Sequence, residues 1–166
     1  MSRSQWYIGA PNGIILCINS TQGGQLAGQL YHSYEPEGSS FQTVEQMTRC
    51  MEQLYDALQF PFPGNSERSF APKKTANQTL YEGDRIVSDE NLLSKHGDIG
   101  TFIVRVQHRQ NSSWQGRITW MEEDKSLYFR SVWEMIKLIE SAVNTVSTQE
   151  DEQPADQPWF QTEEAE

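Results

Sequence analysis

Gly13-Ile-Ile-Leu-Cys-Ile-Asn-Ser-Thr-Gln-Gly-Gly-Gln-Leu-Ala-Gly-Gln-Leu-Tyr, residues 13–31, returns 88 residues later as Thr101-Phe-Ile-Val-Arg-Val-Gln-His-Arg-Gln-Asn-Ser-Ser-Trp-Gln-Gly-Arg-Ile-Thr, residues 101–119. The shift holds without a gap from Gly13 to Leu58 against Thr101 to Val146. Eight positions are identical: Ile15/Ile103, Gln22/Gln110, Gly28/Gly116, Glu35/Glu123, Phe41/Phe129, Val44/Val132, Met47/Met135 and Glu52/Glu140. Apolar residues also stay in register, as in Ile14/Phe102, Leu16/Val104, Ile18/Val106, Leu30/Ile118 and Met51/Ile139. A constant offset of this kind marks one supersecondary unit used twice, so each copy serves as a control for the other.

In each copy an apolar run (Gly13 to Ser20; Thr101 to His108) passes through a polar turn into a second run (Ala27 to Tyr34; Gln115 to Met121). That is the pattern of a β-hairpin, with Gly28 and Gly116 just past the turn. A loop (Glu35 to Ser40; Glu122 to Ser126) leads to a short segment ending at Phe41 or Phe129, the expected third strand. Thr43-Val-Glu-Gln46 and Ser131-Val-Trp-Glu134 then fit the capping box, in which the hydroxyl accepts from the third amide and the Gln or Glu side chain returns to the cap's own N–H. Apolar residues follow at helical spacing: Val44, Met47, Met51, Leu54 and Leu58, then Val132, Met135, Ile136, Ile139 and Val143. Phe60-Pro-Phe-Pro-Gly64 ends the first helix, because proline lacks the amide and clashes with the preceding turn. A hairpin is marginal by itself and each helix has one stripe to bury. We therefore expect an α+β fold, an internal duplication whose antiparallel sheet carries two packed helices. Repeat one spans residues 13–58 and repeat two 101–146 of a single domain, 1–148; the connector, 59–100, is expected to hold local structure around Gln78 to Val87 and in Asn91 to Lys95.

The net charge of −10 is unevenly spread. Residues 150–166 carry seven acids and no base, leaving 13 basic against 16 acidic residues, a net −3, for the rest. A Glu-, Gln- and Pro-rich stretch cannot bury enough apolar surface to offset its ordering entropy, so residues 149–166 are expected to form a disordered acidic tail. Within it, Pro158-Trp159-Phe160 is an aromatic pair suited to docking on a partner or back on the domain. No apolar run approaches the ~20 residues of a membrane span and no signal-peptide core is present, so a soluble cytoplasmic protein is expected. Cys17 and Cys50 give neither a disulfide framework nor metal spacing and read as reduced core thiols.

The second hairpin is where the copies diverge. It carries Arg105, Arg109 and Arg117 with Trp114 and Trp120, where the first copy has Cys17 for Arg105, Thr21 for Arg109, Gln29 for Arg117 and Leu26 for Trp114. Strand alternation puts Ile103, Arg105, Gln107 and Arg109 on one face. An even-numbered turn around Asn111-Ser112 would set Trp114, Gly116, Ile118 and Trp120 on that same face. Arginines beside indoles suit a planar anion, with Asn111 and Ser113 as hydrogen-bonding groups in the turn. The bland counterpart is that Arg–Trp pairs merely finish a solvated sheet face.

Arg109-Gln-Asn-Ser-Ser-Trp-Gln-Gly116, the following Trp120, Phe129-Arg-Ser131 and Glu134-Met-Ile-Lys-Leu-Ile139 resemble the C-terminal segment of a family of small uncharacterised proteins of Clostridia-type Firmicutes. The resemblance covers roughly Thr101 to Val143 and implies no established activity. Arg105-Val-Gln-His-Arg109 with Asn111-Ser-Ser113-Trp-Gln-Gly116 also resembles the Arg-x-x-x-Arg and Asp/Asn-x-Ser-x-x-Gly signature of PilZ domains, which implies a receptor for cyclic di-GMP. In PilZ domains a strand separates the two elements and the arginines lie in a mobile leading segment. Here the elements nearly touch and Arg105 sits inside a strand.

Catalytic signatures are missing: His32, His96 and His108 are scattered, and no nucleophile elbow, phosphate-binding glycine loop or Cys-His pattern occurs. One small basic hairpin is too few cations for nucleic acid, whose affinity rests on many phosphate contacts. The sequence therefore points to a binding or regulatory module without catalysis, cofactor or metal. Its ligand site would comprise Arg105, Arg109, Asn111, Ser113, Trp114, Gly116, Arg117 and Trp120, taking a small nucleotide-like anion or a partner protein. The competing reading is an interaction scaffold that uses the exposed sheet and Trp159-Phe160.

Overall fold

A computed structural model of the protein describes Ile8, residues 11–62, 70–71 and 85–151, with side chains of the last helix described through Val146. The described elements run β1 (Ile14–Gln22), β2 (Gln25–Tyr31), β3 (Ser39–Phe41), α1 (Val44–Leu58), α2 (Asp89–Leu93), β4 (Gly100–His108), β5 (Gln115–Trp120), β6 (Lys125–Phe129) and α3 (Val132–Asp151). The six strands form one antiparallel sheet in the order β3-β2-β1-β4-β5-β6. The fold is α+β, with α1 and α3 packed on one face of that sheet. Among the described residues no helix is long and apolar enough to cross a membrane.

The two ββ(β)α units agree strand by strand. Leu16 faces Leu30 as Val104 faces Ile118, and Gly28 faces Phe41 as Gly116 faces Phe129. Both hairpins slip register at the same place, between Ile18 and Ser20 and between Val106 and His108. At the seam, β1 and β4 pair so that Ile15 lies opposite its own equivalent, Ile103. The flanking pairs, Ile14 with Val104 and Leu16 with Phe102, are exchanged by the 88-residue shift. That is the register of a two-fold axis through the Ile15–Ile103 pair. The glycines after each turn are held by close approach: a Cβ on Gly28 would lie 1.8 Å from the Cys17 carbonyl oxygen, and one on Gly116 2.1 Å from that of Arg105.

The central strands are apolar on both sides because both sides are covered. On the helix face, Ile14, Leu16, Ile18, Phe102, Val104 and Val106 meet the apolar stripes of α1 and α3. On the opposite face, Ile15, Cys17 and Ile103 meet Ile8, Met121 and Leu92 of α2. The expected helical stripes are the ones buried, with Val44, Leu58 and Val132 partly so.

Both hydroxyl caps form: the Gln46 amide donates to Thr43 Oγ1 at 3.1 Å and that of Glu134 to Ser131 Oγ at 3.0 Å. The return half of the capping box is displaced by one residue. Gln46 Oε1 accepts from the amide of Gln42, and the Glu134 carboxylate meets the Arg130 guanidinium at 3.3 Å. The connector contains one helical turn, α2, capped by Ser88 and beginning slightly before the expected Asn91. Gln78 to Asp84 and the tail beyond Asp151 lie outside the described residues.

Candidate functional site

The turn of the second hairpin is the expected even-numbered one. His108 pairs with Gln115, and Asn111 and Ser112, at the positions of Gly23 and Gly24 in the first turn, are likewise left-handed. The bulge two residues further on changes what the turn implies. From Val106 inward the pairs become Val106 with Gly116, Arg105 with Arg117 and Val104 with Ile118. One residue inserted in one strand transfers every subsequent side chain to the other face. The expectation that Arg105 shares a face with Trp114 and Trp120 is therefore corrected. Arg105 and Arg117 stand opposite one another in the row of Ile103 and Thr119, away from the helices. Trp114, Ile118 and Trp120 lie on the helix face.

The remaining expected site residues are largely occupied by the fold. Arg109 is 6% exposed; its Nε donates to the Pro61 carbonyl at 2.7 Å, its Nη1 to Asp56 Oδ1 at 2.6 Å and its Nη2 to the Tyr55 carbonyl at 3.5 Å. It clamps the second hairpin to the end of α1. Trp114 is buried with its ring edge-on to Tyr55, centroids 5.5 Å apart. Ser113 Oγ accepts from the first amide of α3, that of Val132, at 3.0 Å. Asn111 is exposed at the turn, and the Arg117 guanidinium lies 5.9 Å from the centroid of the Tyr128 ring. Gly116 permits strand approach, as above. Trp159 and Phe160 lie outside the described residues.

Trp120 of that set borders a cleft. A cleft of about 230 Å³ opens between the second half of the sheet and α3, walled by Phe102, Ile118, Trp120, Leu127, Leu138 and Ala142. Ser141, Thr145 and Lys125 complete the lining. Lys125 stands directly across from Trp120 on the neighbouring strand. The Trp120 indole Nε1 is shut away from solvent without a protein acceptor. A buried donor left unbonded costs about 1–3 kcal/mol, so a turn of the indole that uncovers it to an acceptor is favoured. Leu127, on the edge strand β6, is 57% exposed and leaves one side of the cleft open.

The first unit differs at these positions. At the position of Ala142 it has Leu54, fully packed in the core; at that of Lys125 it has Glu37, and at that of Trp120 it has His32. A buried leucine thus stands in one unit where an alanine lines the cleft in the other. Sequence comparison of the copies carries this signal, although the arginines and tryptophans of the hairpin draw attention first. Lys125, Leu138 and Ala142 were not among the expected site residues for that reason.

Titratable groups elsewhere in the core are tuned toward neutrality. Burial, aided by Glu122 and opposed by Lys95, pushes the Cys17 thiol up to about 11, so it stays protonated at neutral pH. Burial lowers His32 below the usual imidazole range against an opposing pull from Glu35, and His32 Nδ1 accepts from the Tyr34 amide. Among the described residues no three His, Cys, Asp or Glu side chains gather as a metal site. Compared with known proteins, the chain matches no family model, no curated protein and no solved structure.

Proposed function

We propose that this protein is a non-catalytic binding module whose second unit takes a small amphipathic anion, an apolar body bearing one carboxylate, into the cleft beneath α3. The observation that carries the reading is a mostly apolar cleft whose lining includes Lys125, directly across the strands from Trp120, a residue whose buried Nε1 has no acceptor among the described residues. The ammonium supplies charge, the indole N–H supplies a donor once the ring turns to uncover it, and Phe102, Leu138 and Ala142 accommodate the apolar part. The ligand site expected from the hairpin thus contracts to Trp120 and moves to the helix face. A cyclic-dinucleotide receptor draws no support from this geometry, since Arg105 and Arg109 serve different surfaces and Arg109 is committed to Asp56 and Pro61.

Decanoate tests the reading. It should raise the melting temperature of the full chain by several degrees when present at about 100 times its dissociation constant, an excess worth about 2.7 kcal/mol. Ala142→Leu, which installs the side chain of the first unit, should remove that response while leaving the protein folded. A flat response of the unsubstituted chain to decanoate and to aromatic monocarboxylates would refute the proposal.

A second reading, the interaction scaffold, has one observation in its favour. The outer edge of the second unit exposes Leu127, Tyr128 and Trp133 where the first unit has Ser39, Ser40 and Glu45. An apolar sheet edge is a surface on which an extended segment can pair. Pull-down by a surface-immobilised chain, lost on Tyr128→Ser with Trp133→Glu but kept in Ala142→Leu, would favour it over the cleft.

A further inference from the structure

The cleft and the acidic tail belong to neighbouring parts of one chain. Leu138, Ser141, Ala142 and Thr145 form the α3 side of the cleft, and α3 continues to Asp151. Six residues of helix carry the chain about 9 Å beyond Thr145. Trp159 follows eight residues after Asp151, and eight extended residues span up to ~26 Å. The chain is long enough to turn back and reach the cleft it has just left.

Chemistry as well as reach selects the occupant. The residues after Asp151 contain one bulky apolar pair, Trp159-Phe160, flanked by Asp156, Glu163 and Glu164 with no basic residue among them. An apolar body with adjacent carboxylates matches the apolar walls of the cleft and Lys125 in its lining. Pro158 has no amide hydrogen, so placing it at an apolar mouth leaves no backbone donor unbonded there. At the equivalent positions the first unit has Leu54 for Ala142 and Glu37 for Lys125, and Glu37 would repel the acids.

Resting on the reading of the cleft as a ligand site, we propose that Pro158-Trp159-Phe160 of the same chain is its resident occupant, a tethered segment that a free ligand must displace. A short tether holds the segment at an effective concentration in the millimolar range. If its intrinsic dissociation constant is on the order of 0.1 mM, the cleft is about nine-tenths filled and free ligands bind about tenfold more weakly than to an open cleft.

The test uses the full chain with Trp159→Ser and Phe160→Ser together, and decanoate as the probe in calorimetry. The double variant should bind decanoate about tenfold more tightly than the unsubstituted chain. A synthetic peptide covering residues 152–166 should compete with decanoate for the double variant and lose that effect in the same background carrying Ala142→Leu. Equal decanoate affinities for both chains, each abolished by Ala142→Leu, would overturn the tethered occupant and leave the ligand site standing. Absence of decanoate binding in both chains, with no response to the peptide, would overturn the ligand site and the occupant together.

Discussion

Replacing Arg109 by Ala separates a structural clamp from a ligand-binding arginine. The Pro61 carbonyl, bonded by Nε at 2.7 Å, would lose a charged donor, and such bonds are worth about 1.5–3 kcal/mol. The Tyr55 carbonyl loses less, because it also accepts from the Phe60 amide at 3.1 Å. Asp56 is 64% exposed, so its ion pair is screened and contributes at most about 1 kcal/mol. With the buried stem of the side chain also lost, the expected destabilisation is about 3 kcal/mol. Urea unfolding followed by far-UV circular dichroism should show it as a lower midpoint at unchanged slope. Arg109→Lys should recover less than half, since an ammonium cannot address Pro61, Asp56 and Tyr55 from one planar fork. A loss below about 1 kcal/mol for Arg109→Ala, accompanied by weaker binding of an anionic ligand, would refute the clamp and return Arg109 to the ligand.

Trp120→Phe deletes the acceptor-free N–H while keeping an aromatic wall. It should leave stability unchanged or raise it by up to ~1 kcal/mol, yet weaken decanoate about tenfold in calorimetry. His32, lowered chiefly by burial, takes up its proton less readily in the fold than in the unfolded chain, where it protonates near pH 6.5. The unfolded state therefore binds more protons on acidification, so the stability tied to His32 is complete above that pH and declines as pH falls through it. Urea midpoints at pH 7.5 and 5.5 should differ more for the unsubstituted chain than for His32→Asn; equal differences would exclude His32 as the source.

What the sequence revealed follows from which interactions are local. The two hairpins, the cap hydroxyls Thr43 and Ser131 and the buried helical stripes depend on residues close in the chain, and the 88-residue correspondence let each unit check the other. The even turn at Asn111-Ser112 was legible too. Its consequence for Arg105 was not, because the bulge between Val106 and His108 moves the side chains without altering the turn. A bulge leaves no dependable trace in apolar alternation when both sheet faces are covered, as they are over β1 and β4. The contacts of Arg109 were not legible because its partner Asp56 lies 53 residues away, on a helix whose end no local pattern places beside the hairpin. The cleft itself was half legible: Leu54 against Ala142 is visible in the alignment of the copies, but a cavity needs the packing of α3 on β4, β5 and β6 to give that difference a meaning.

The most direct measurement is the indole resonance of Trp120 in a nitrogen–proton correlation spectrum, assigned by its loss in Trp120→Phe and followed as decanoate is added. A bond to a ligand oxygen should move the Nε1 proton downfield in a saturable way, with the same midpoint as calorimetry, while the Trp114 resonance at its site against Tyr55 moves far less. An unmoved Trp120 signal at saturating decanoate, or a shift that persists in Ala142→Leu, would contradict a carboxylate-binding cleft in the second unit.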